Sequence, residues 1–290
     1  MPTNAATSAG LAVDMAIYAQ PKVDCHCHVL DPLNFAYADD VAYRPAGQET
    51  GSARYFEDVL SAYGVQHALL VGPNSGYGTD NRCLLSAIAH SGGRFKGVAV
   101  VNLDASLGEL QDLAAQGVVG IAFNYALLGL DYYRNAGPLI DKLARLGMYL
   151  QVQVTGDQMH TLEPLLRGSA APVLIDHCGR PEPADRRADK GFDAVLNLAS
   201  CGHATVKLSG FVKFTHQDFP FADTHSHVTE LLAAYGPQHC VWASDWPFLK
   251  APRRMDYGTL LQLFAHTVPD TEVRRQILWE TPRRLFGFGM

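Results

Sequence analysis

No stretch of this 290-residue sequence approaches the roughly 18 consecutive apolar residues that a membrane-spanning helix needs, so no membrane span is expected. Charge is sparse: 18% of residues are charged and the formal net charge is -6. The basic residues are scattered, without the run or stripe that binding a phosphate backbone requires, which argues against nucleic acid as a partner. A small anion stays open, because a local pocket can be positive inside an acidic protein. No GxGxxG and no GxxxxGK[ST] occurs, which removes the two glycine-rich phosphate cradles. No GxSxG occurs either, which removes the nucleophile elbow of the serine hydrolases.

Cysteine is limited to Cys25, Cys27, Cys83, Cys178, Cys201 and Cys240. Cys25 and Cys27 form a CxC, and no second pair is present to complete a structural zinc cage. On a regular strand those two would share one face, opposite to His26. Reduced, partly buried thiols and a cytoplasmic location are expected. Residues 1–20 have neither a basic leader nor a long apolar core, so a signal peptide is not expected and a flexible tail is.

What the sequence does have is alternation. Apolar runs rich in Val, Ile, Leu and Ala fall at 23–30, 67–72, 95–101, 118–124, 148–154, 172–177, 204–209 and 240–244. That is the composition of parallel strands buried on both faces. Helical patterns fall between them at 55–63, 81–91, 107–116, 137–146, 159–167, 192–199 and 223–235, and two more, 257–266 and 272–279, follow the last strand. Eight strands separated by helices predict an α/β fold, a distorted (β/α)8 TIM barrel, as a single catalytic domain over 21–290. Long irregular segments at 31–53, 181–190 and 212–222 each follow a strand, where barrel enzymes place their active-site loops.

Reactive residues gather at the carboxyl ends of those strands. His26 and His28 lie two apart on the first strand, so both imidazoles are expected on one face. His177 ends the sixth strand and Asp245 the eighth. Any one alone reads as a hydrogen-bonded core residue, but four at matching strand ends point to a site. His225 and His227 repeat the HxH spacing near a helix start. Side chains two apart on a helix diverge, so these two are not expected to share a ligand.

An HxH on the first strand, a His on a later one and an Asp on the last resemble the amidohydrolase superfamily, of the amidohydrolase-2 type. The likeness continues in order through Asp24-Cys25-His26-Cys27-His28, Tyr43-Arg44-Pro45, Phe123-Asn124, His177-Cys178-Gly179-Arg180, Val206-Lys207-Leu208-Ser209-Gly210 and Ser244-Asp245-Trp246-Pro247. It is closest to the branch of the 2-pyrone-4,6-dicarboxylate and sugar-acid lactonases. The resemblance implies a hydrolase that opens a lactone of a small organic or sugar acid. Asp245 is expected to activate water, and His26, His28 and His177 to polarise the carbonyl.

Many amidohydrolases add a Lys or Glu on strand four and a His on strand five to hold two metal ions. Here those strands offer Ala122 and Asn124, then Gln151 and Gln153, so two metals are not expected. One Zn²⁺ held by His26, His28, His177 and Asp245 is an option, and a metal-free site is preferred. Tyr43, Asn74, Asn124, Tyr125, Arg180 and Lys213 are expected at the substrate. Lys207 is open between facing the interior and forming a structural ion pair. The resemblance implies carboxylate-clamping arginines at the positions held here by Ala122 and Lys213. Lysine does not reproduce a bidentate fork, so a lactone with fewer carboxylates than the pyrone is expected. Two alternatives remain at this stage: a zinc-dependent decarboxylase or hydratase on the same barrel, and a catalytically silent barrel that binds a small ligand.

Overall fold

The structure, a computed structural model, describes residues 11–41, 43–182 and 189–289. Eight parallel strands follow one another in chain order: β1 (Lys22–Cys27), β2 (Val65–Val71), β3 (Phe95–Ala99), β4 (Val118–Asn124), β5 (Tyr149–Gln153), β6 (Val173–Ile175), β7 (Ala204–Leu208) and β8 (Cys240–Trp242). Helices stand between them, and the sheet curls into the expected (β/α)8 barrel. Helix starts are fixed by side chains that accept from otherwise orphaned backbone N–H groups. Ser52 accepts from Tyr55 N, Ser106 from Glu109 N, and Asp270 from both Glu272 N and Val273 N. The helix Gly137–Leu146 stops on Gly147, which takes the left-handed conformation (φ 64°) that closes a helix most readily.

The barrel closes along the seam between β1 and the segment after β8. Asp245 N donates to His26 O and His28 N to Trp246 O, both at 2.8 Å. Lower on the seam a carboxylate does the joining. Asp24 accepts from His26 N, Ser244 N, Ser244 Oγ and the Tyr257 hydroxyl at 2.5–3.3 Å. The seam therefore sets the HxH strand directly beside Asp245.

β1 is not a regular strand. Asp24 pairs with Ala68 but Cys27 with Leu70, so three steps on β1 match two on β2. This bulge breaks the two-residue alternation. Cys25 packs with Val23, Leu69, Leu174 and Val241 inside the barrel, whereas Cys27 packs in the layer between strands and helices. The expectation that the two cysteines share one face is thus corrected, because the bulge inserts a residue between them. His26 and His28 both still point into the barrel.

The tail is shorter than expected. Ala16–Ala19 forms a helical turn with Ile17 fully buried, and Asp14 pairs with Arg274 at 2.8 Å. An apolar side chain and an ion pair dock this part of the 1–20 segment, while residues 1–10 lie outside the described ones. Most of the loop expected at 181–190 also lies outside them. The last helical pattern becomes the helix Thr271–Arg275, a π-helical turn Gln276–Glu280 and the helix Thr281–Phe286. Phe286 and Phe288 then fill the amino end of the barrel against residues from six strands.

Candidate active site

At the carboxyl end, three imidazoles converge on one oxygen. Asp245 Oδ1 lies 3.7 Å from His26 Nε2 and 3.6 Å from His28 Nε2 and from His177 Nε2. All four side chains are buried. Neither His177 Nε2 nor Asp245 Oδ1 has a hydrogen-bond partner among the described residues. The other carboxylate oxygen, Oδ2, holds the Lys213 ammonium at 2.5 Å.

Each histidine is oriented through its other nitrogen. His28 Nδ1 lies 2.8 Å from Val71 O. A carbonyl only accepts, so that nitrogen carries a proton and Nε2 faces the centre. His177 Nδ1 meets Ser209 Oγ at 3.0 Å. His26 Nδ1 meets Asp176 Oδ1 at 3.1 Å and Lys207 Nζ at 3.0 Å. The backbone that carries these groups is strained. His177, Cys178, Arg180 and Asp245 have φ of 53°, 58°, 50° and 62°, where L-residues with side chains are costly by about 1–3 kcal/mol each. Gly210 allows the arrangement: a Cβ there would sit 2.6 Å from the His177 ring.

Burial and neighbouring charge fix the protonation states. Burial pushes the imidazolium of His26 down to about 4, helped by the Lys207 ammonium, and holds that of His177 well below its ordinary value. Both rings are neutral near pH 7. Burial alone would raise Asp245 and Asp176. The Lys213 ammonium outweighs it at Asp245 and the Lys207 ammonium at Asp176, so both stay ionised well below the usual carboxylate range.

His26, His28 and Asp245 each bring a ligand atom within 4.8 Å of the others, close enough for one divalent cation, while His177 Nε2 stands 3.6 Å from Asp245 Oδ1 outside that set. Two of the four atoms are buried without partners, and each ring is oriented from behind, as metal-binding histidines are. On β4 and β5 the barrel carries Ala122, Asn124, Gln151 and Gln153.

Above the cluster opens a cavity of about 420 Å³. Its wall includes His28, Asp245, Arg180, Lys213 and Lys250 on one side and Asn74, Asn124, Gln151 and Gln153 on the other. Of the residues expected at the substrate, Asn74, Asn124, Arg180 and Lys213 line it. Arg180 is largely buried, and its Nε has no partner among the described residues. Tyr43 stands behind the rim, its hydroxyl on Glu49 and its ring 4.5 Å beneath Lys250 Nζ. Tyr125 is buried below the wall, its ring tilted against those of Phe123 and Tyr133. Its place in the sequence just after β4 could not reveal that its side chain turns into the aromatic layer. His225 bonds Pro220 O and His227 packs on Phe192, away from the centre.

Sequence reasoning missed Asp176, Gln151 and Lys250 and left Lys207 open. Lys207 is fully buried inside the barrel, 3.0 Å from Asp176 Oδ1 and 2.7 Å from Gln151 Oε1. A signal was present: Val206 and Leu208 are apolar while Thr205, Lys207 and Ser209 are polar. In a strand buried on both faces, polar residues at every second position mark the interior of a barrel.

The chain matches the amidohydrolase family over residues 23–288. It is 30% identical over 287 residues to a 4-sulfomuconolactone hydrolase of Rhizobium radiobacter, covering 93% of this chain and 92% of that protein. It is 26% identical to a 2-pyrone-4,6-dicarboxylate hydrolase of Comamonas testosteroni, covering 91% and 89%. Among solved structures, a probable 2-pyrone-4,6-dicarboxylic acid hydrolase of Acinetobacter baumannii with citric acid bound superposes with a TM-score of 0.84 at 26% identity, covering 92% of this chain and 99% of that one. With the family's fold over nearly its whole length and the HxH, His177 and Asp245 gathered at one end of the barrel, the chain belongs to the amidohydrolase family.

Proposed function

We propose that this amidohydrolase opens a small lactone that carries one acidic group, at the cluster of His26, His28, His177 and Asp245. The observation that carries the reading is the convergence of three imidazoles on an ionised, unpartnered carboxylate oxygen beneath a cation-lined cavity. That relatives at 26–30% identity are lactone hydrolases supports the reaction class.

Asp245 Oδ1 is the base. It accepts a proton from water as the water oxygen attacks the ring carbonyl, and returns it to the ring oxygen as the C–O ester bond breaks. The products are a carboxylic acid and a hydroxyl on one open chain. His28, held by Val71 O through Nδ1, faces the water with Nε2 and aligns it. His26 and His177 face the carbonyl oxygen, where charge develops. One divalent cation held by His26, His28 and Asp245 would supply carbonyl polarisation and a more acidic water.

Arg180 and Lys250 are the cations available to the substrate, since Lys213 is engaged by Asp245. The amides of Asn74, Asn124 and Gln153 suit hydroxyl or carbonyl groups rather than a second carboxylate. This deepens the expectation of fewer carboxylates than the pyrone dicarboxylate. A binding-only role gives no use to a buried carboxylate oxygen left without a partner, and the decarboxylase reading has no observation of its own. The test is a panel of lactones followed by acid release, with and without chelator. Single-acid lactones should turn over fastest. Equal turnover of the pyrone dicarboxylate would overturn the substrate reading, and no ring opening across the panel would overturn the reaction.

A further inference from the structure

The buried ammonium of Lys207 has no place in the reaction just described, yet it touches the first histidine of the site. A lysine ammonium has three protons and can only donate. Here it has three partners: Gln151 Oε1 at 2.7 Å, Asp176 Oδ1 at 3.0 Å and His26 Nδ1 at 3.0 Å. Gln151 is oriented by the same logic. Its oxygen must face Lys207, so its Nε2 faces Asp176 Oδ2, at 3.0 Å.

The His26 ring has one proton to place when neutral. With the proton on Nε2, Nδ1 accepts from Lys207 and every donor of the ammonium is used. The Nε2–H then faces Asp245 Oδ1, an acceptor otherwise without a partner. With the proton on Nδ1, the ring donates to Asp176 Oδ1 at 3.1 Å, but the third Lys207 proton meets an N–H. The Nε2 lone pair then faces a carboxylate oxygen at 3.7 Å, a repulsion that a water proton or a cation between them relieves. In the first form the Nδ1 lone pair faces Asp176 Oδ1 at 3.1 Å, but the Lys207 ammonium stands 3.0 Å from both atoms and offsets that repulsion.

We propose that Lys207 is a positioning residue that takes the Nδ1 lone pair of His26, keeps the ring proton on Nε2, and thereby holds the centre as a hydrogen-bond-donor site that binds a divalent cation weakly. Lys207 and a cation are opposed: one needs the His26 lone pair inside, the other needs it at the centre. Asp176 is the acceptor waiting for the alternative form. His26, His28 and Asp245 are close enough to hold a cation, yet the His26 ligand is turned away by a residue that touches neither cation nor substrate. The proposal rests on the lactonase reading only in taking this cluster as the working centre.

The test uses the full chain, stripped of metal and labelled with ¹⁵N-histidine, the His26 ring signals being assigned by their loss in His26→Gln. In the wild type His26 should show a protonated Nε2 and an unprotonated Nδ1. In Lys207→Met the two should exchange, and zinc titrated against a competing chelator should bind at least tenfold more tightly. A wild-type ring already protonated at Nδ1, or a Lys207→Met chain with unchanged ring signals or unchanged zinc affinity, overturns the proposal. Should Lys207→Met fail to fold, Asp176→Ala provides the independent arm. It removes the acceptor for Nδ1–H, so the wild-type ring form should persist and zinc should bind more weakly; unchanged or tighter zinc binding overturns the proposal. Neither readout needs a substrate, so failure of the lactonase reading leaves both intact.

Discussion

The two ends of the barrel are built on opposite principles. At the amino end Phe286 and Phe288 pack on Val23, Leu69, Leu174 and Val241, with no ionised side chain in the cluster. At the carboxyl end the same strands present His26, Gln151, Asp176, His177, Lys207 and Asp245, all buried. The first end gains stability from apolar burial at about 25 cal/mol per Å². The second holds charges out of water and residues at positive φ, both of which cost stability. The contrast shows where this fold stores its folding energy and where it spends it on chemistry.

The largest expected effect is at the carboxyl end. Asp245→Asn should lower kcat by about 10²–10⁴, the usual range for a general base, while a bound lactone is still retained. Turnover by pH-stat and ligand binding by calorimetry separate the two. A kcat within tenfold of wild type would end Asp245's role as base. At the opposite end, Phe288→Ala should cost about 3–5 kcal/mol of stability, read from the urea midpoint. Its folded fraction should keep the wild-type kcat. An equal fall in kcat would show that the two ends are not independent.

The sequence showed these two ends unequally. All eight strands were legible because fully buried parallel strands are continuous apolar runs, and β4 was placed at its observed ends, 118–124. His26, His28, His177 and Asp245 were legible because each sits at a strand end. Cys25 and Cys27 were misplaced because a bulge is a register event between β1 and β2, visible only once the strands are paired. Asp176 was passed over because its neighbour His177 carried the resemblance. Lys250 was not visible because it reaches the cavity from a loop, where spacing carries no direction. The amino-end plug was hidden for a different reason: Phe286 and Phe288 follow the last helical pattern, and nothing local says that they turn under the barrel.

A smaller effect sharpens the substrate side of the comparison. Arg180→Met should raise KM for a single-acid lactone about 10- to 100-fold, as expected for losing a charged hydrogen bond of about 1.5–3 kcal/mol. The kcat should change little, and a lactone without an acidic group should be unaffected. A loss confined to kcat would move Arg180 from binding the substrate to the reaction itself.

The smallest effect lies on the seam between the ends and depends on pH. Burial raises the Asp24 carboxyl from 3.8 to about 6, against the pull of its four hydrogen bonds. Between those values the folded chain holds a proton that the unfolded chain has lost, so this group favours folding more as pH falls toward 3.8. His26 acts in the opposite sense. Its imidazolium is lowered from 6.5 to about 4, so the unfolded chain gains a proton first and stability falls as pH drops through that window. The two slopes offset one another between about 6 and 4. Asp24→Asn keeps an oxygen for the N–H groups of His26 and Ser244 and turns an amide toward two hydroxyls that can accept, but it removes the titration. Its stability should therefore fall more steeply than that of the wild type over this window, on the order of 1 kcal/mol per pH unit. Urea midpoints at pH 6, 5 and 4 measure the difference. Phe288→Ala uncovers the His67 ring that stacks on Phe288 at 4.9 Å and whose imidazolium burial lowers, so its curve should lie below that of the wild type and fall less steeply as pH drops. A curve for Asp24→Asn parallel to that of the wild type would mean that Asp24 is ionised throughout, and that the seam belongs electrostatically with the active-site end.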